Sequence, residues 1–374
     1  MSNKKILIVG AGFAGSTFAR IAAEKDFSVD VIDKRDHSGG NSYSYKDSET
    51  GIEIHKYGPH IFHTTNEKVF EFVSRFTTFN GYIHKVKAIA NGQVYSLPIN
   101  LHTINQFYGK VFSPREARQF IEEKQVHIDK PENFEEVLLA SIGRELYEAF
   151  FKDYTIKHWG MDPKEIPAST AKRLPIRYDY NDNYFNDKYQ GIPVEGYGVL
   201  FNRILEHPNI TVSLRTSFNE IRSKWQKKYD FLIFTGSIDE YYDYQRGYLP
   251  YRTVTFEEVR DTEIQGSAVI NYTDTSVPFT RIHEHKYFTP DIEFKNSIAY
   301  KEFSVATTSE REPFYPINDK SGKAIYNQYK EMAAQEKDAI FIGRLAEYRY
   351  YNMDQVIDSS MKCFDTFLQR VGLL

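Results

Sequence analysis

Cysteine is almost absent from this chain of 374 residues, where Cys363 stands alone. That excludes an internal disulfide framework and any metal site built from clustered thiolates. Its place among helix-spaced apolar residues gives Cys363 a packing role. Long basic runs are missing too: the uninterrupted ones are pairs such as Lys4-Lys5, Lys34-Arg35 and Lys227-Lys228, and 47 Lys+Arg are outweighed by 51 Asp+Glu. Nucleic acid is therefore not an expected partner. No apolar stretch approaches the length of a membrane span, and Lys4-Lys5 lead directly into a strand-length run rather than a signal-peptide core. The reading is of a cytoplasmic protein. Internal repeats and low-complexity segments are also lacking. The length exceeds one ordinary core, so two or three domains are expected.

What is present starts with Lys5-Ile-Leu-Ile-Val9, followed at once by Gly10-Ala-Gly12-Phe-Ala-Gly15 and then by a helical pattern through Ala23. Strand, tight turn and helix in that order present free backbone N–H groups and a positive helix end to a dinucleotide pyrophosphate. Gly10 permits the turn, Gly12 lets phosphate approach the backbone, and Gly15 lets the helix pack on its strand. A second apolar run, Phe27-Ser-Val-Asp-Val-Ile32, ends in Asp33, about 20 residues on, where a ribose-binding carboxylate is expected. A glycine triplet alone would fit other βαβ turns. This context points to a dinucleotide.

The fold class expected is α/β: a discontinuous Rossmann-type dinucleotide-binding domain, which the resemblance given below makes an FAD-binding domain, with an inserted helical domain and an antiparallel-sheet domain. Residues 1–76, 193–244 and 312–374 form the first, because Phe231-Leu-Ile-Phe-Thr-Gly236 and Ala339-Ile-Phe-Ile-Gly343 read as returning parallel strands, the second before a terminal helix from about Met353. Residues 77–172 read mainly as helices, on the capping-box form of Ser113-Pro-Arg-Glu116, its looser version Asn133-Phe-Glu-Glu136, and one long helical pattern from Glu135 to Tyr154. Residues 173–192 and 245–311 supply the antiparallel sheet, from runs such as Ser267-Ala-Val-Ile-Asn-Tyr272 and Asn296-Ser-Ile-Ala-Tyr300.

Specific segments then carry a resemblance: Gly39-Gly40-Asn41, Tyr57-Gly-Pro-His-Ile-Phe-His63, Tyr154-Thr-Ile-Lys-His-Trp-Gly160, Arg173-Leu-Pro-Ile-Arg177, Asn183 to Pro193, Thr280-Arg281, Glu312-Pro-Phe-Tyr-Pro316 and Gly343-Arg-Leu345. In these the chain resembles the bacterial UDP-galactopyranose mutases. The resemblance implies FAD, active when reduced, and interconversion of UDP-galactopyranose and UDP-galactofuranose through a flavin N5–sugar adduct. It also implies a homodimer and a place in making cell-surface polysaccharide.

It further assigns catalytic work to Arg173, Arg281 and His63. Fixed guanidinium groups suit a departing diphosphate, because they stabilise growing charge without reorganising. Cofactor contacts fall on Gly10, Gly12, Gly15, Asp33, Gly40, Asn41, His60, Gly343, Arg344 and Asn352. Substrate contacts fall on Phe150, Tyr154, Trp159, Tyr184, Asn271, Tyr315 and Tyr350 beside the two arginines. No metal is expected, since no carboxylate or cysteine cluster accompanies His60 and His63.

Taken without the resemblance, each tyrosine fits a core, Arg344 a surface charge, Asn271 a strand-end amide and Trp159 a packed indole. One position departs from the family pattern, in which Tyr-x-Asp is usual: here Tyr350-Tyr351-Asn352 keeps an amide and loses a charge. The alternatives are an FAD-dependent oxidoreductase of the amine-oxidase or desaturase type, a mutase of UDP-N-acetylgalactosamine or dTDP-fucose, and a flavin-binding sensor without the chemistry.

Overall fold

The computed structural model describes residues 4–171, 175–308, 312–317 and 319–373. Lys5–Val9 forms a strand whose Ile6, Leu7 and Ile8 are fully buried, as expected of an apolar run covered on both faces. It is the middle of a five-stranded parallel sheet, between Ser28–Ile32 and Phe231–Phe234, with Ile210–Ser213 and Ala339–Phe341 at the edges. The strands thus come from three separated stretches of the chain. One face is covered by the helix Phe13–Ala23 and the helix Met353–Arg370, where Phe18 meets Phe364 edge-on at 5.3 Å. The spacing of Ile357, Phe364, Phe367 and Leu368 explains that docking, since all four are buried on one side. Phe218 and Trp225 pack against the other face.

A second, seven-stranded sheet runs in the order Tyr315–Pro316, Tyr251–Asp261, Ser297–Ala306, Arg281–Glu284, Val269–Tyr272, Val86–Ala90 and Gln93–Leu97. Its pairs are antiparallel except where Val269–Tyr272 lies parallel to Val86–Ala90. The last two strands lie within the stretch read as mainly helical, and they depart from that expectation for a local reason. Val86, Ala88 and Ala90 alternate inward, and Asn91-Gly92, both with positive φ, makes the two-residue turn that suits strand twist.

The rest of that stretch is helical, with Leu101–Tyr108, Pro114–Lys124, Phe134–Tyr147 and Asp153–Trp159. Ser113 and Glu116 close the expected capping box, and the Asn133 side chain accepts from the Glu136 N–H at 3.0 Å. The long helix expected from Glu135 to Tyr154 is interrupted instead. Gly143 takes a non-helical conformation, and Glu148–Lys152 forms a π-helical turn. Among the described residues no helix is long and apolar enough to cross a membrane.

Candidate active site

The glycine turn opens onto a large cavity lined by Gly10, Gly12, Asp33, Gly40, Asn41, His60, Gly343 and Arg344, together with Thr216–Asn219 and Thr235–Ser237. Gly10 has φ +104°, and a Cβ there would sit 2.0 Å from Thr235 Oγ1. A Cβ on Gly40 would stand 3.1 Å from the Gly12 Cα, so two backbone segments face each other with no side chain between them. Gly12 is also the N-cap of Phe13–Ala23 and brings no side chain to its first-turn N–H groups. That bare, positive helix end is suited to an anion. Asp33 accepts the Ala11 N–H at 2.8 Å and the Arg35 N–H at 2.9 Å, one on each oxygen. Each oxygen keeps a lone pair for a ribose hydroxyl. The residues present therefore fit a dinucleotide cofactor.

Charges around this cavity are held in place. Arg35 pairs with Glu312 and donates to Asn41 Oδ1 at 2.8 Å, and Lys34 stands 3.3 Å from the same glutamate. Burial alone would raise the pKa of Glu312, but Arg35 and Lys34 bring it below the ordinary carboxylate range. His60 Nδ1 lies 2.8 Å from the Gly58 carbonyl. Desolvation, helped by the nearby Arg344 and Arg281, lowers the His60 pKa to about 4, so the ring is neutral. Arg344 reaches the carbonyls of Phe314 and Tyr351 and lies over the rings of Tyr315 and Tyr350, at 5.5 and 5.3 Å from their centroids. Asn352 sits at the N-cap of Met353–Arg370, its N–H donating to Gln355 Oε1 at 3.0 Å.

Beside the cavity, the second sheet lines up three polar residues in one row. Asn271 is the cross-strand partner of Arg281, and Arg281 of Glu302. Direct partners in a pleated sheet point to one face. Arg281 Nη2 stands 2.8 Å from Glu302 Oε2, and the glutamate is wholly buried. Desolvation would weaken the charge on Arg281, but Glu302 opposes it and the guanidinium stays firmly cationic. Tyr154 and Tyr315 are close enough to Arg281 to feel its charge; burial pushes the Tyr315 hydroxyl up to about 12 and that of Tyr154 higher still. Both are proton donors at neutral pH. Tyr315 stacks on Tyr350 at 5.7 Å, and the ring of Tyr184 meets His84 at 5.3 Å.

Tyr154 and Trp159 ride on the helix Asp153–Trp159, which is anchored from below. Lys157 Nζ lies within 3.3 Å of the carbonyls of Tyr272, Asp274, Val277 and Phe279. Arg252, buried, donates to the His158 carbonyl at 3.1 Å at the helix C-terminus, where a cation is favoured. Trp159 lines a small cleft with Tyr350 and Pro316.

The structure does not bring every expected residue here. Phe150, expected among the substrate contacts, is 2% exposed and packs edge-on against Tyr95 at 5.1 Å. The π-helical turn shifts the side-chain phase by one residue and sends this ring into the core. His63 is absent from the cavity wall. On the strand Phe62–Thr64 it stacks on Phe185 at 3.6 Å and sets Nδ1 2.8 Å from Asp187 Oδ2. Facing a carboxylate, Nδ1 carries the proton. Gly15 serves packing, since a Cβ there would be 1.9 Å from the Gly10 carbonyl. Arg173 lies outside the described residues. Sequence reading passed over Glu302, Asp187, Arg35 and Arg252. Only strand register reveals Glu302, whereas Arg35 directly follows the Asp33-Lys34 step and was open to suspicion.

Comparison with known proteins agrees with this geometry. A family model described as UDP-galactopyranose mutase matches residues 149–350, and one for an NAD(P)-binding Rossmann-like domain matches 8–76. A dTDP-fucopyranose mutase of Escherichia coli is 48% identical over 371 residues, covering 98% of both chains. A probable UDP-galactopyranose mutase of Klebsiella pneumoniae is 48% identical over 374 residues, covering 100% of this chain and 97% of the relative. A solved structure of reduced UDP-galactopyranose mutase superposes with a TM-score of 0.71 at 16% identity, covering 99% of this chain and 94% of that one, which speaks for the fold alone. Full-length identity of this order, over a chain whose arginine and tyrosines converge beside a dinucleotide cradle, places the protein in the UDP-galactopyranose mutase family.

Proposed function

We propose that this protein interconverts the pyranose and furanose forms of a nucleotide sugar, with UDP-galactose as the substrate and FAD, active when reduced, as the cofactor. The observation that carries the reading is the position of Arg281, held in a row with Asn271 and Glu302 and with Tyr154 and Tyr315 beside it. FAD, when bound and reduced, supplies a nucleophilic ring nitrogen for the anomeric carbon. Arg281, joined by Arg173, binds the diphosphate and stabilises its charge as the sugar leaves. Tyr315 and Tyr350 donate hydroxyls at the same end, as does Tyr184, and Trp159 walls the sugar. Asn271 offers an amide to the base. His63, fixed by Asp187, and neutral His60 support the isoalloxazine side. Gly343 and the start of Met353–Arg370 complete that wall, with Asn352 as cap. Homodimeric assembly, a cytoplasmic site of action and a part in making surface polysaccharide accompany the reading.

A second sugar has specific support: the fucopyranose mutase relative is as similar, at 48%, as the galactopyranose one. Dithionite-reduced protein incubated with UDP-galactose, UDP-N-acetylgalactosamine and dTDP-fucose, read by chromatography, decides between them. A furanose product from UDP-galactose, sustained by catalytic reductant without oxygen, is expected. A requirement for stoichiometric electron acceptor would instead make the protein an oxidoreductase.

A further inference from the structure

Behind Arg281 lies a group of buried polar atoms that the proposed chemistry does not use. Glu302 and His283 are wholly buried, with His283 Nε2 3.5 Å from Glu302 Oε2. Among the described residues, both nitrogens of His283, both oxygens of Glu302 and Nε of Arg281 lack a hydrogen-bond partner, leaving the ion pair with Arg281 as the carboxylate's compensation. His283 faces Arg281 and His285 from its own strand and its end, His55 and His60 from the segment before the cavity, and Tyr300 and Glu302 from the neighbouring strand. Glu302 is the one anion in that set.

We infer that binding of the anionic substrate is coupled to uptake of a proton from solvent by the Glu302–His283 pair, which serves as the exchangeable counter-charge of Arg281. This rests on the nucleotide-sugar reading. A diphosphate arriving at Arg281 competes with Glu302 for one guanidinium. The carboxylate cannot turn to water, and a buried charge left without its partner is costly. The substrate's own negative charge acts through the same low-dielectric surroundings and in the same direction. The nearest relief is a proton, and the imidazole beside Glu302 can share it. Desolvation, with His285 and the Arg281 cation nearby, keeps His283 neutral beforehand, so the proton is absent from the free protein. The step is a protonation alone, with no bond broken and no electron moved.

Isothermal titration of the oxidised, flavin-loaded protein with UDP-galactose and with a dTDP-sugar, in buffers of different ionisation heat near pH 6.5, counts the protons. These sugar diphosphates carry no group that titrates there. The expected result is net uptake of ~0.5 proton or more with the sugar nucleotides and none with uridine. Uptake is lost in Glu302→Gln, which also binds the diphosphate several-fold more tightly because its rival for Arg281 is gone, and is reduced in His283→Gln. Saturable binding without buffer dependence overturns the inference, as does equal uptake in both variants. Absence of saturable binding by either sugar nucleotide overturns the nucleotide-sugar reading itself.

Discussion

A single side chain carries most of the proposed chemistry. Arg281→Ala removes a preorganised cation aimed at developing charge, so turnover should fall by about 10²–10³-fold while the bound-flavin spectrum persists. Steady-state rates and the absorbance of the purified variant check both halves. Gly10 fails in a different way. Its φ of +104° and the Thr235 hydroxyl standing where a Cβ would go mean that Gly10→Ala should cost ~1–3 kcal/mol and release flavin. Thermal denaturation and the flavin content after gel filtration read this out. Asn352 is milder. An aspartate at that N-cap adds negative charge at a helix start, so Asn352→Asp should stabilise by about 0.5 kcal/mol, measured by chemical denaturation.

Among the elements, legibility followed how local the cause was. Lys5–Val9, the glycine turn and Met353–Arg370 could be read because their patterns are short-range: an apolar run, a turn residue, a helical spacing. Asn91-Gly92 announces a hairpin equally plainly, yet the helical signals on either side drew it into the wrong class. The π-helical turn at Glu148–Lys152 has no such marker, and the phase it imposes moved Phe150 from the site to the core. Glu302 was hidden because its meaning comes from a partner on another strand. The helix Asp153–Trp159 depends on Lys157 and Arg252 in the same non-local way. Arg252→Met should leave the flavin spectrum intact and weaken UDP binding about tenfold, near the upper range of a helix-end cation, because the helix carrying Tyr154 and Trp159 loses its anchor. A binding isotherm tests this.

Over the whole molecule, the buried histidines set the acid limit of stability. Desolvation lowers His285 to about 4 and His84 to about 3, and His60 joins them at about 4. In the unfolded chain each titrates near 6.5. Below that pH the unfolded state binds protons that the native state refuses. Stability is therefore complete above about pH 6.5 and is lost as the pH falls toward 4, with His285 alone contributing up to ~3 kcal/mol. Denaturation midpoints between pH 7.5 and 4.5 should show this slope, and His285→Gln should flatten it.

The middle strand of the five-stranded sheet pairs on one side with Ser28–Ile32 and on the other with Phe231–Phe234, and the last neighbour is Ala339–Phe341. During synthesis the first of these leaves the ribosome long before its later companions exist. Until Phe231–Phe234 has been made, that edge of the strand is an unfilled template, open to wrong pairing. The cavity is walled by Gly10 and by Arg344, far apart in the chain, so its wall is complete only once both segments have been made. Pairings between strands so distant in sequence are of the kind that slows folding.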